Sequence, residues 1–351
     1  DWGQDFAANA ATGRLPSVSM LAASRLAATL FFCGSILAIY GLGRLFGSRR
    51  LALIISGLYA LNPILLMHGR RAMLEAPLLC CALVTLWVAG VISTRKPGER
   101  LSGWWWLALA FAGGFGMAAK YTYGFIFAAA LGWIVLSRVL EWIEARHFRD
   151  GRTLAKLALR IALVGVAALA IFIGLTPALW SNPPLRIRDA LDIVQSILAS
   201  QVRNNQAIVL SLPQRFQYAA SIPYLTHIEA GHTAQETIRY GASLLHGVDS
   251  PGLIGVLLTG LAAFGLITAL VTPLAFSPRR QVSALRIGLL MWLAVSAVIA
   301  VQTPLPWQRY FVMFVPLATL LTGIGLQSAA HIILWVTCNR FIPLRQAPQP
   351  E

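Results

Sequence analysis

Apolar residues in this chain run in long blocks separated by short polar stretches. Nine blocks can be traced: Leu26–Phe46, Leu51–Met67, Pro77–Ser93, Trp104–Ala119, Tyr123–Leu136, Ile161–Trp180, Leu253–Leu274, Ile287–Val301 and Tyr310–Val336. Most approach the ~20 residues that a helix needs to cross ~30 Å of hydrocarbon. A core helix of a soluble domain would carry a polar stripe along its length; most of these blocks carry none. The pattern predicts an all-α, polytopic transmembrane helix bundle, a single membrane domain over residues 1–351. The fourth and fifth blocks are short. Lys120-Tyr121-Thr122 between them would suit a broken or re-entrant pair.

The Ser181–Ser250 stretch breaks this pattern. After Asn182-Pro183-Pro184, a helix start with Asn182 as N-cap and proline in the first turn, Ile187, Ala190, Leu191, Val194, Ile197, Leu198 and Val202 recur at helical spacing. Arg186, Arg188, Asp189 and Asp192 fill the polar positions. An amphipathic helix lying on the membrane surface is expected here, not a separate globular domain.

Composition agrees with a membrane protein. Apolar residues make up 57% of the chain and charged residues 12%, against roughly a quarter charged in ordinary soluble domains. The net charge of +15 does not point to nucleic acid, because the basic residues lie between the apolar blocks. One set of connections holds Arg44, Arg49 and Arg50; Arg95, Lys96 and Arg100; a basic loop at 138–160; Arg279, Arg280 and Arg286; and the tail with Arg340 and Arg345. By the positive-inside rule these face the cytoplasm. The outer set then comprises the N-terminal stretch, His68–Arg71, Lys120, the 181–250 segment and Pro304–Arg309. Cys33, Cys80 and Cys81 fall within apolar blocks and Cys338 in a basic tail, so no disulfide framework is indicated. No cleavable signal peptide is visible, and the chain opens at Asp1 without an initiator Met, which points to a natural N-terminus further upstream.

Chemistry is expected where polar groups gather at the outer boundary without a topological reason. His68-Gly69-Arg70-Arg71 places a basic pair on the side where basic residues are sparse, and Glu75 follows just before the helix that Pro77 helps to start. A carboxylate at a helix N-terminus is favoured by the helix dipole; an interfacial Arg71–Glu75 salt bridge would account for the same residues. Lys120, flanked by Tyr121 and Tyr123, suits a phosphate at headgroup level and equally a snorkelling lysine in an aromatic belt. Arg309, in Pro304-Leu305-Pro306-Trp307-Gln308-Arg309-Tyr310, marks the outer mouth of the last block. His227, Glu229, His232 and Glu236 are metal-ligand types, yet their spacing is not that of a zincin helix, and a solvated loop is expected. Trp104, Trp105 and Trp106 read as an interfacial belt, Arg25 as a snorkelling residue, and Gly113, Gly114 and Gly116 as close helix packing.

Four stretches carry a family resemblance: Leu61-Asn62-Pro63 leading into His68–Pro77; Lys120-Tyr121-Thr122; Thr176-Pro177-Ala178-Leu179-Trp180-Ser181-Asn182-Pro183; and Pro304 to Phe311. In this order the chain resembles the GT-C membrane glycosyltransferases, specifically glycosyltransferase family 39, with its protein O-mannosyltransferases and lipid A aminoarabinose transferases. The resemblance implies a GT-C bundle in a bacterial inner membrane with its active face extracytoplasmic. It implies a polyprenyl-phosphate sugar as donor, an acceptor that is protein, lipid or glycan, inversion at the anomeric carbon, and a groove open to membrane lipids. It casts Lys120 and Arg309, with Arg71, as phosphate binders. Glu75 takes the acidic position at the start of a span, organising the site or positioning the acceptor. His68, Arg70, Tyr121, Tyr123, Trp180 and Asn182 fall to donor or acceptor positioning. The family's principal acid lies in a first outer loop after a span that this chain lacks; Asp1 and Asp5 stand as the end of that loop. A divalent metal is left open, with no ligand set assigned. A transporter or flippase of a lipid-linked or anionic solute, or a noncatalytic paralogue, remains the alternative; no internal repeat of the transporter kind is visible.

Overall fold

In the computed structural model, residues 6–13, 15–69, 73–95, 102–144, 151–226, 252–271 and 279–341 are described. Among them no strand occurs, and the chain is an all-α bundle. A short helix α1 (Phe6–Ala11) precedes α2 (Val18–Phe46), whose N-cap Ser17 accepts a hydrogen bond from Met20 N. The chain then builds α3 (Arg49–Ala60), α4 (Pro63–Gly69), α5 (Glu75–Thr94), α6 (Gly103–Ala119), α7 (Tyr123–Glu144) and α8 (Gly151–Leu175). After a 3-10 turn come α9 (Pro183–Asn204) and α10 (Leu212–Ser221), then α11 (Leu253–Val271), α12 (Arg279–Gln302), the single turn α13 (Gln308–Phe311) and α14 (Phe314–Phe341).

Seven of these helices are long and apolar enough to cross a membrane: α2, α5, α7, α8, α11, α12 and α14. The second apolar block is not one straight span. It divides into α3 and α4, bent by 65° at Leu61-Asn62-Pro63, because proline removes a backbone donor and clashes with the preceding turn. Asn62 stabilises the break: its side-chain oxygen accepts from Ile64 N (3.1 Å) and Leu65 N (3.2 Å), capping α4. The fourth block folds as α6, 17 residues long and a separate helix from α7. The basic stretch 138–160 is no plain loop. Helix α7 runs to Glu144 and α8 starts at Gly151, since Leu154, Leu157 and Leu159 carry the apolar pattern of α8 outward past its charges.

Helix α5 is the most buried span and forms the axis of the bundle, packed against α2, α6, α7 and α12. α6 lies on α8, and α11 lies on α14, which in turn meets α3. Glycines permit the close approaches. A Cβ at Gly113 would stand 2.6 Å from the Phe127 ring, one at Gly114 2.5 Å from Ile171, and one at Gly116 2.3 Å from the Tyr123 ring. The expected packing role of these three glycines is the one observed. The outer helices present apolar side chains outward, such as Leu163 and Val166 on α8 and Ile254 and Leu257 on α11. In water such faces would be unfavourable; in hydrocarbon they are what the solvent demands.

Helix α9 begins as expected, with Asn182 as its N-cap and Pro183 in its first turn. No residue of α9 is buried, and Leu185, Leu191, Ile193, Val194 and Ile197 are exposed beside Arg186 and Arg188. Cys33, Cys80 and Cys81 are free thiols.

Candidate functional site

The two ends of the bundle differ in chemistry. At one end arginines bind the last carbonyls of the spans: Arg138 donates to Ile92 O and Arg95 O at the end of α5, and Arg286 donates to Ala269 O at the end of α11. Cations there complement the negative ends of the helix dipoles. Arg160 of α8 lies over the Trp106 ring near the start of α6, while Trp104 is exposed beside it.

The opposite end gathers the start of α5, the end of α6 and the turn α13. Glu75 is the first residue of α5 and is 6% exposed. Lys120 Nζ stands 3.9 Å from Glu75 Oε1. That separation is an ion pair, too long for a hydrogen bond. Lys120 is set by the C-cap of α6, where its N–H donates to Gly116 O (3.0 Å). The Tyr123 ring that fills the space over Gly116 holds α6 and α7 together immediately below the turn.

Arg309 and Tyr310 close the site from the far end of the sequence. Lys120 Nζ lies 4.9 Å from the Tyr310 ring centroid, and the Arg309 guanidinium lies 5.0 Å from the same centroid and 5.4 Å from that of Trp307. Trp307 and Tyr310 are stacked at 5.6 Å, and Arg309 Nη2 donates to the Tyr310 hydroxyl at 3.3 Å. Partial burial pushes the Lys120 ammonium below its usual value; Glu75 opposes that shift and Arg309 adds to it.

The α13 turn is fixed by Gln308 and Phe311, both buried on its inner side. Phe311 meets the edge of Tyr218 at 5.2 Å. Tyr218, on α10, donates its hydroxyl to Pro306 O (2.6 Å), Leu210 N donates to Pro304 O (2.8 Å), and Arg215 donates to Val301 O. The segment after α9 therefore buttresses the loop that carries Arg309. Asn62 adds a second tie, donating to Pro223 O at 2.9 Å.

Glu75, Lys120 and Arg309 thus come together at this end of the bundle. Tyr121 is adjacent, exposed, and edge-on to Phe172. Tyr123 is not at the surface of the site: it is fully buried and hydrogen-bonded to Thr85 within the core. Asn182 caps α9, Trp180 donates its indole N–H to Ile173 O (2.9 Å), and His68 is buried in α4. Asp1, Asp5, Arg70 and Arg71 lie outside the described residues, as do His227, Glu229, His232 and Glu236. Among the described residues no group of three His, Cys, Asp or Glu side chains forms a metal site. Sequence reasoning passed over Trp307 and Tyr310 as site residues; their i, i+3 spacing around Arg309 was the available signal.

No curated protein and no solved structure matches the chain. Residues 17–173 match the family described as dolichyl-phosphate-mannose-protein mannosyltransferase, a span that contains Glu75 and Lys120 and ends before Arg309. Over that span, which runs from α2 through most of α8 and is a little under half of the chain, the protein is similar to that mannosyltransferase family.

Proposed function

We propose that the chain transfers a sugar from a polyprenyl-phosphate carrier to a hydroxyl acceptor on the extracytoplasmic face of a bacterial inner membrane, with inversion. The observation that carries this reading is the convergence of Glu75, Lys120 and Arg309, from three distant stretches, at one end of the bundle. The other end holds Arg138, Arg160 and Arg286, and its excess of basic residues favours the cytoplasmic side.

In the proposed reaction an acceptor oxygen attacks the anomeric carbon as the bond from that carbon to the phosphate oxygen breaks. The electron pair of the broken bond passes to the lipid phosphate, which gains charge. Lys120 and Arg309 stabilise that charge where it develops. A carboxylate takes the acceptor proton; Asp1 and Asp5 are the candidates for that base. Glu75, held off from Lys120 at 3.9 Å, keeps the ammonium in place and leaves its carboxylate able to accept from an incoming hydroxyl. Tyr121 stands beside the site for the sugar or the acceptor. Helix α9, with apolar residues exposed along its length, suits the headgroup boundary where the carrier enters.

The test is release of free polyprenyl phosphate from a polyprenyl-phosphate sugar by the purified protein, in the presence of hydroxyl-bearing protein, lipid and glycan acceptors. Glu75→Gln and Lys120→Ala should depress turnover while leaving the protein folded. Full turnover in both variants would remove the site, and transbilayer movement of intact donor without release would favour a flippase.

A further inference from the structure

We propose that Tyr310 is a positioning residue whose ring face holds Lys120 and Arg309 together as one doubly cationic site for a lipid-linked monophosphate. This inference rests on the donor-phosphate reading given above.

Two cations in a partly desolvated site repel each other, and the repulsion grows as water is excluded. Something must hold both before an anion arrives. Among the described residues, Glu75 pairs with Lys120, at 3.9 Å. The group shared by the two cations is the Tyr310 ring, with Lys120 Nζ at 4.9 Å and the Arg309 guanidinium at 5.0 Å from its centroid. Both distances lie within the roughly 6 Å over which a ring quadrupole attracts a cation. The hydroxyl makes a second contact, accepting from Arg309 Nη2 at 3.3 Å. Trp307 stacks on Tyr310 and also meets Arg309, so the ring is itself supported.

The local sequence explains why a tyrosine can serve here. In the turn Gln308–Phe311, residues 308 and 311 point inward and are buried. Arg309 and Tyr310 are thereby left on the side that meets Lys120. The ring carries no net charge, so it takes nothing further from the positive charge that Lys120, already paired with Glu75, and Arg309 present to a phosphate. A carboxylate in the same place would compete with the phosphate for them.

Among the described residues, three groups bear on the Lys120 ammonium: Glu75 from α5, and Arg309 and Tyr310 from α13. Loss of the ring should therefore leave Lys120 easier to deprotonate, and donor affinity should fall at lower pH than in the wild type.

The experiment measures binding of polyprenyl monophosphate to the full chain in nanodiscs across pH. The series replaces Tyr310 by Phe, by trifluorinated Phe and by Leu, with melting temperature recorded for each. Phe keeps the ring face and loses the hydroxyl; trifluorinated Phe keeps the shape and loses the face charge, so a folding defect in Tyr310→Leu leaves the test intact. We expect affinity to fall in that order, by about threefold for Phe and about tenfold or more for the other two, with the alkaline limb moving to lower pH only in the latter pair. Equal affinity of Phe and trifluorinated Phe, or an unmoved alkaline limb, overturns the proposal. Failure of wild-type protein to bind the lipid phosphate overturns it together with the donor-phosphate reading. Graded binding without sugar transfer sustains Tyr310 and refutes the transferase reading alone.

Discussion

Glu75 and Lys120, 45 positions apart in the chain, face each other at 3.9 Å where α5 begins and α6 ends. The carboxylate is nearly buried and the ammonium partly so. Burial disfavours the Lys120 ammonium, and the neighbouring Glu75 carboxylate opposes that effect. Under the proposed reading the pair acts as a unit in donor transfer, and its substitutions should act on activity more strongly than on folding.

Glu75→Gln removes the charge and keeps the shape. Turnover with a polyprenyl-phosphate sugar should fall by about 10²-fold, the scale at which a positioned acid or base contributes. Released polyprenyl phosphate, quantified per folded protein, checks this. Wild-type turnover would exclude Glu75 from the site.

The pH dependence follows from Lys120. Its value in the folded protein lies below the ordinary 10.5 of lysine, chiefly through burial. Between the two values the unfolded chain binds more protons, so stability rises as pH climbs through that window. Donor binding has the opposite dependence and should be lost with an alkaline limb below 10.5. Glu75→Gln should move the limb lower and Arg309→Gln higher, because the first removes an attraction and the second a repulsion. Titration of donor affinity in the three proteins reads both signs.

Arg309→Lys retains the charge but loses the planar fork that lies over Trp307 and Tyr310. KM for the donor should rise about tenfold with a smaller change in kcat. Steady-state kinetics on both constants separates this from simple charge loss. Equal KM values in the two proteins would show that stacking contributes nothing.

Gly116→Ala tests the support beneath the site. The added carbon would meet the buried Tyr123 ring at 2.3 Å, so close that the ring or the end of α6 must shift. A loss of about 1–3 kcal/mol is expected, seen as a lower melting temperature. Donor affinity should fall with it where the end of α6, which carries Lys120, is the part that shifts.

Asn62→Ala should also destabilise, by about 1–3 kcal/mol, through the lost cap of α4 and the lost bond to Pro223 O. Here the bend itself is at stake. Cleavage by protease at the 61–63 corner should increase in parallel with the fall in melting temperature.

Much of this architecture is legible in the chain. The all-α class and most of the spans follow from apolar blocks of membrane length, because hydrocarbon admits backbone only when its polar groups bond internally. The start of α9 follows from Asn182 and Pro183, whose capping chemistry is local. The packing of Gly113, Gly114 and Gly116 is legible for the same reason: only small residues admit a neighbouring helix so closely. The bend at Leu61-Asn62-Pro63 was hidden, since continuous apolar character from Leu51 to Met67 masks a change of direction. Tyr123 looked like a partner of Lys120 by proximity in sequence; helix geometry instead sends its ring over Gly116 into the core.

By itself the sequence determined which residue types were available in the turns between the apolar blocks: a carboxylate, a lysine and an arginine. Tertiary structure alone decided that they meet, and that both cations lie over the Tyr310 ring. The reason is physical. Burial and capping are set by neighbours in the chain, whereas the distance between Glu75, Lys120 and Arg309 depends on how α5, α6 and α13 are packed, and no local pattern encodes that.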